Sequence, residues 1–349
     1  MAETPAALLF APLDVKGARI RNRIVVPPMC QWQAADDGVV RPYHLAHYGQ
    51  FAIGGAGMII VEATAVERRA RIRGEDLGLW SDDHIKGMSE LAGVMVEYGA
   101  LPAIQLGHAG RKAYRGGTRA VAPSAVAFSE SYEAPDEMTH GDINTVRQSF
   151  VDAAVRAEKA GFRALELHGA HGYLLHQFLS PISNRRSDEF GGSAEGRLRF
   201  PLSVAGAVRR AIKQSTVLMI RVSAVEYSPD GYTLDDMIGM CRAFKQAGVD
   251  IVHVSSGGSV SVAPPSWPGY QLGFARAIRD AIEMPVIGVG LVNTPDLAEF
   301  ALREGFCDLV AVGREMLRNP NFPLRAAAQL GAALPIREDL KLVLERAFK

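Results

Sequence analysis

KAGFRALELHG (159–169), QAGVDIVHVSSG (246–257) and REGFCDLVAVG (303–313) are the stretches from which the fold is read. Each opens on the last turn of an amphipathic pattern, passes through a glycine and continues as a short apolar run. Gly161, Gly248 and Gly305 stand where a helix closes on a left-handed residue, a conformation that glycine adopts without steric cost. The runs that follow are apolar at most positions rather than at alternate ones. That is the pattern of parallel strands covered on both faces.

Working outward, the same unit recurs along the chain. RIVVPPM (23–29), GMIIVEAT (57–64), PAIQLGH (102–108), ALELHGA (164–170), VLMIRVSA (217–224), DIVHVSS (250–256), PVIGVG (285–290) and LVAVG (309–313) read as strands. Helical patterns lie near 44–53, 83–98, 145–160, 194–213, 234–247, 271–283, 295–304 and 322–330. Eight strands alternating with helices predict an α/β fold, a single-domain (β/α)8 barrel over residues 1–349, rather than an open doubly wound sheet. Residues 10–22 are expected to form a hairpin capping the barrel floor. Active sites of such barrels lie at the C-terminal strand ends. The long excursions 109–144 and 171–193, after the third and fourth strands, are therefore expected to cover the site.

The totals fit a globular enzyme. Among 349 residues, 38 basic side chains balance 38 acidic ones, so no basic excess argues for a nucleic-acid partner. No apolar run approaches the roughly 18 residues of a membrane span. The opening MAETPAALLF carries Glu3 and Pro5 and lacks the basic region of a signal peptide. Cys30, Cys241 and Cys307 are few, scattered and odd in number, which points to a reducing, cytoplasmic setting without a disulfide framework.

A census of strand ends yields the candidates. Arg221 sits inside an apolar strand and needs a partner: either a ligand, or a strand-end carboxylate such as Glu62. Gly288, Gly290 and Gly313 follow the last two strands, where barrels commonly take phosphate through backbone N–H groups. His168, His171 and Tyr173 form a set able to donate hydrogen bonds and protons. The rival reading of the histidines is a metal site that recruits His108. Cys30 taken alone reads as a small buried hydrophobe, and Trp32 as either packing or pocket wall. No strand is followed by the glycine pattern of a Rossmann dinucleotide site.

Eleven motifs in order, PPMCQ (27–31), VEATAV (61–66), LGLWSDDHI (77–85), IQLGHAGRKA (104–113), APSA (122–125), EMT (137–139), ELHGAHGYLLHQFLSP (166–181), NRRSDEFGGS (184–193), RLRF (197–200), IRVSA (220–224) and VGRE (312–315), resemble the old yellow enzymes. The cysteine in PPMC is similar to that of their thermophilic-like branch. The resemblance implies an FMN-dependent NADPH or NADH dehydrogenase that reduces activated alkenes by a ping-pong cycle, with no catalytic metal. It implies backbone contacts to the flavin from Pro27, Pro28, Met29, Cys30 and Ala63, and a Gln105 side chain on the pyrimidine edge. Arg221 would stabilise the anionic reduced flavin, and Gly290, Gly313 and Arg314 would take the phosphate. His168 and His171 would polarise the acceptor, Tyr173 would supply a proton, and Cys30 would tune the flavin.

LERAFK (344–349) is similar to the family's terminal segment, so Arg346 would reach a neighbouring subunit's site in a homodimer or homotetramer. Trp32 stands where the branch usually has tyrosine, in the substrate pocket. Phe190 and Gly196 also depart from the usual tyrosine and asparagine.

Overall fold

Eight parallel strands close on themselves in the computed structural model, which describes residues 7–347 apart from Arg115, Gly117, Thr118 and Leu334. The outer ends of the predicted span, 1–6 and 348–349, lie outside the described residues. β1 (Leu13–Val15) and β2 (Ala18–Ile20) form an antiparallel hairpin before the barrel begins. Barrel strands β3 (Ile24–Val26), β4 (Met58–Ala65) and β5 (Leu101–Gly107) follow, then a short parallel ribbon of β6 (Val121–Ala122) and β7 (Asp136–Glu137). β8 (Ala164–Gly169), β9 (Val217–Ser223), β10 (Ile251–Ser255), β11 (Val286–Gly288) and β12 (Leu309–Ala311) complete the barrel. It closes where Val310 and Ala311 pair with Ile24 and Val25.

Helices α1 (Pro42–Ile53), α2 (Ile85–Glu97) and α3 (His140–Lys159) precede α4 (Leu174–Leu179), a single short turn-and-a-half over the barrel mouth. α5 (Ala194–Ala211), α6 (Leu234–Gln246), α7 (Leu272–Ile282) and α8 (Pro295–Arg303) continue the alternation. α9 (Arg314–Arg318), α10 (Phe322–Gln329) and α11 (Glu338–Ala347) end the chain. All eight predicted strands and the eight predicted helices are present. α4 and α9 are too short for a periodicity window to register, and α11 was not anticipated.

Strand alternation divides the apolar residues into two sets. Val25, Met58, Ile60, Ala103, Ala164, Met219, Ile251, Ile287 and Leu309 point inward and pack with Val15, Ala18 and Ile20 of the hairpin. The hairpin thus plugs the barrel floor, as the sequence suggested. Ile24, Ile59, Val61, Ile104, Leu165, Leu218 and Val252 point outward against the helices. Two residues further along, the inward face turns polar, carrying Gln105, Glu166, Arg221 and His253, all buried. Register puts Gln105 opposite Glu166, and Arg221 opposite both His168 and His253.

β4 carries a buried acid, Glu62, beside a register slip between Val61 and Thr64. It makes no salt bridge to Arg221; that alternative is set aside. Its carboxylate instead accepts from the Gln31 N–H (2.6 Å) and the Tyr48 hydroxyl (3.1 Å). Burial pushes its pKa from 4.5 up to about 7, although these donors pull the other way. A carboxyl whose folded value is raised stabilises fully below its unfolded value and loses that contribution as pH rises through the folded one. Across about pH 4.5 to 7 the loss should be on the order of 3 kcal/mol. Glu62→Gln should therefore flatten the fall in stability between pH 5 and 8, measured by urea unfolding. Parallel pH dependences for parent and variant would show that Glu62 does not titrate in this range.

Candidate active site

β8 ends at His168 and Gly169, and the chain then turns sharply through residues 170–173 into α4. The turn requires His171 to adopt φ +58°, a left-handed conformation that a non-glycine residue holds only when its surroundings impose it. Buried groups do so here. The His171 N–H donates to Ser223 Oγ (3.0 Å), and the Gly172 N–H donates to His176 Nδ1 (2.8 Å). His176 Nε2 lies 3.2 Å from Glu226 and 2.8 Å from the Tyr232 hydroxyl, which donates to the Ser223 carbonyl (2.6 Å). From the excursion after β5, Lys112 Nζ donates to the carbonyls of His171 (2.9 Å) and Gly258 (2.8 Å).

This frame brings together the three predicted proton-handling residues. The His168 ring stands edge-on to His171 at 5.3 Å and to Tyr173 at 4.8 Å. His171 Nε2 lies 2.7 Å from Ser255 Oγ, whereas the buried His168 Nδ1 has no partner. Burial, reinforced by the charge of Arg221, holds both imidazoles well below 6.5, so they are neutral at pH 7. Burial pushes the Tyr173 phenol up, and it stays protonated. His168 and Tyr173 line a narrow recess with Ala63, Ile72, His108 and Asp76. Asp76 accepts from the Ile72 N–H (2.5 Å) and the Arg73 N–H (3.2 Å), while its Oδ1 is unpartnered; burial raises it to about 6.

Beside the recess, a cavity of about 240 Å³ runs from Arg221 past Gln271 to Gly290, Asn293, Gly313 and Arg314. Gly290 has φ +124°, and a Cβ there would stand 2.9 Å from the Gln271 backbone nitrogen, so only glycine fits. A Cβ on Gly313 would lie 3.5 Å from Pro27 and 3.6 Å from the Met29 sulfur, so the first and last strands meet here. The Arg221 Nε is buried without a partner, and the opposing charge acting most strongly on the guanidinium is that of Glu166. An unmet donor on a buried cation, backed by a glycine-lined cavity carrying a second arginine, fits an extended anionic group such as a flavin phosphate ester.

The remaining predicted residues divide. Pro27, Ala63 and Gln105 are buried at the strand ends, while Pro28, Met29 and Cys30 are half-buried beside them. Burial of its sulfur, with Asp76 and Glu62 nearby, pushes the Cys30 thiol up. Trp32 stands outside both cavities. It is 36% exposed, has φ +53°, and the Arg73 guanidinium lies 3.9 Å over its ring. Arg346 is exposed on α11; Phe348 and Lys349 of the same motif lie outside the described residues.

The metal alternative finds no geometry here. His108 is already engaged through both ring nitrogens, by Glu67 (3.0 Å) and by the Gly110 N–H (3.0 Å). Among the described residues, the group close enough to hold an ion is His140, Asp188 and Glu189, and none of these lines either cavity.

Sequence reasoning passed over Glu166, His253 and Asp76. Glu166 and His253 are charged or titratable residues inside apolar strands, the same signal that singled out Arg221. Asp76 gives no such signal, because only the loop path brings it to the recess.

Comparison with known proteins agrees with this geometry. The model of the NADH:flavin oxidoreductase / NADH oxidase family matches residues 8–332. A protein named NADPH dehydrogenase from Geobacillus thermodenitrificans is 48% identical over 328 residues, covering 94% of this chain and 96% of that one. Morphinone reductase superposes with a TM-score of 0.81 at 27% identity, over 96% of this chain and 92% of that one. 2-Naphthoyl-CoA reductase superposes with a TM-score of 0.88 at 24% identity; it shares the fold, and this chain spans 52% of its length. A barrel with this cradle, matched over nearly its whole length, belongs to the NADH:flavin oxidoreductase / NADH oxidase family of FMN enzymes.

Proposed function

We propose that this protein is an ene-reductase, which passes electrons from NADPH or NADH through FMN to the activated C=C bond of α,β-unsaturated carbonyl compounds in a ping-pong cycle. The observation that carries this reading is the neutral His168–His171 pair, His168 being buried with one ring nitrogen unpartnered, set beside the buried and unpartnered Nε of Arg221. FMN, when bound, supplies the two-electron chemistry that links the nicotinamide to the acceptor. Arg221, Gln105 and the Ala63 backbone would hold its ring system, with Pro27, Pro28, Met29 and Cys30 alongside. Gly290, Gly313 and Arg314 would hold its phosphate.

The chain's own residues then treat the acceptor. His168 and His171 donate to its carbonyl oxygen and stabilise the negative charge that develops there. Neutral imidazoles suit this role because each can present an N–H without needing to lose a charge. Tyr173, kept protonated by burial, gives its phenolic proton to the α-carbon. Cys30, also kept protonated, acts through its surroundings rather than as a nucleophile. Trp32 and a neighbour's Arg346 would border the pocket mouth. α11 leaves Leu342 and Val343 exposed beside Arg346, which favours an oligomer that covers this face. Among the described residues no helix is long and apolar enough to cross a membrane. The three free cysteines favour a cytoplasmic setting.

Purified protein should release FMN on denaturation, bleach with NADPH or NADH under anaerobic conditions, and regain its colour on addition of a cyclic enone or maleimide. Release of FAD, or a reduced flavin that enones reoxidise no faster than buffer, would overturn the assignment.

His168→Ala should retain FMN and slow reoxidation by an enone about a hundredfold, the usual cost of losing one such donor. Stopped-flow rates within twofold of the parent would remove His168 from the acceptor site.

Deleting residues 344–349 should raise the KM for enones while leaving the FMN spectrum unchanged. Light scattering provides the control: a strict monomer at assay concentration is incompatible with a shared site.

A further inference from the structure

Glu166 lines neither cavity, yet both of its oxygens are committed to residues around the cradle. One accepts from Gln105 Nε2 at 2.7 Å and the other lies 2.8 Å from His253 Nδ1. All three side chains are buried on the inward face of the barrel; His253 pairs with Arg221, and Glu166 lies two residues before His168, which pairs with Arg221 from the other side. We infer that Glu166 is a positioning residue that sets the polarity of the cofactor cradle, turning the Gln105 amide and partly offsetting the charge of Arg221. The inference rests on the FMN reading above.

The argument begins with what an amide can do. Free to rotate, Gln105 would present either its NH2 group or its carbonyl oxygen to a ligand. A carboxylate only accepts, so the NH2 end must face Glu166, and Oε1 is left as the acceptor above. The pyrimidine edge of a flavin alternates acceptor, donor, acceptor, in C2=O, N3–H and C4=O. Such an edge needs one acceptor set among donors. Arg221 brings donors, and Gln105 Oε1, so oriented, brings the acceptor for N3–H. Without the carboxylate beneath it, the amide loses the reason to choose this orientation.

The second consequence is electrostatic. Arg221 is a buried cation with no hydrogen bond at Nε, and the negative charge acting most strongly on it is that of Glu166. His253, whose protonated form is disfavoured by burial and by Arg221, adds no charge of its own. The layer therefore holds one positive and one negative charge. Arg221 favours the reduced, anionic form of the cofactor, and Glu166 opposes it. The pair places the potential between the values either charge alone would set.

Two measurements test this. Titrating apoprotein of the unmodified chain with FMN and with 3-methyl-FMN examines the orientation without any substitution. The analogue, having no N3–H, should bind at least about tenfold more weakly, because a buried acceptor is left unmet. Equal affinities would overturn the inference, whereas failure of FMN itself to bind would instead remove the cofactor reading. The midpoint potential of bound FMN, measured by spectroelectrochemistry, examines the charge. Glu166→Gln should raise it, by about 30 mV for a tenfold gain in preference for the reduced form in a two-electron couple. Glu166→Asp keeps the charge and should stay near the parent value while weakening FMN binding. Equal shifts in both variants, or a fall in Glu166→Gln, would reduce Glu166 to a packing role. If Glu166→Gln does not fold, the analogue comparison still decides.

Discussion

The structure is organised around the positive charge that Arg221 carries into the barrel. A guanidinium at this depth has lost its water, and a buried ion without compensation costs several kcal/mol. Glu166 answers it from the neighbouring strand, itself fixed by Gln105 and His253. The compensation is incomplete, since the Arg221 Nε still lacks a partner. An anionic group in the adjoining cavity would complete it. A barrel that merely needed to fold would carry an apolar residue at position 221.

The same charge governs the histidines. His168 lies opposite Arg221 in the strand register and His171 stands one short turn beyond it, so both feel a cation at close range in a dry environment. Burial and repulsion act in the same direction and keep the imidazoles neutral. Neutrality alone would not orient them. The orientation comes from Ser223, Ser255 and the His176–Glu226–Tyr232 group, which together hold His171 in a left-handed conformation. Strain of this kind persists only where several bonds impose it at once.

Stability and chemistry occupy opposite ends of the barrel. Below, inward-facing aliphatic residues and the β1–β2 hairpin form a dry plug that needs no polar partner. Above, every inward position that carries charge is paired, cradled or left facing a cavity. This separation lets the excursions after β5 and β8 be shaped by the site. Lys112 ties two of the loops together through backbone carbonyls, and Arg186 does the same nearer the surface through Asp188 and the carbonyls of Pro123 and Met138.

The alternation of strand and helix, the glycine closures, and the residues at the strand ends were legible in the sequence because each depends on neighbours within a turn or a strand. Arg221 was legible as an anomaly for the same reason: one charge in an apolar run. Its partner was not, because choosing between Glu62 and Glu166 depends on register. Glu166 shares the inward face of the adjacent strand, whereas the slip in β4 leaves Glu62 with Gln31 and Tyr48. Trp32 shows the same limit. Its place after the first strand was plain, but its ring lies under Arg73, a residue of another loop, and outside the recess. Asp76 reaches the recess only through that loop's path. Local sequence determines which elements form and which face each residue takes; contacts between distant segments decide which of those residues meet, because side-chain direction at a loop or a bulge is set by whatever packs against it.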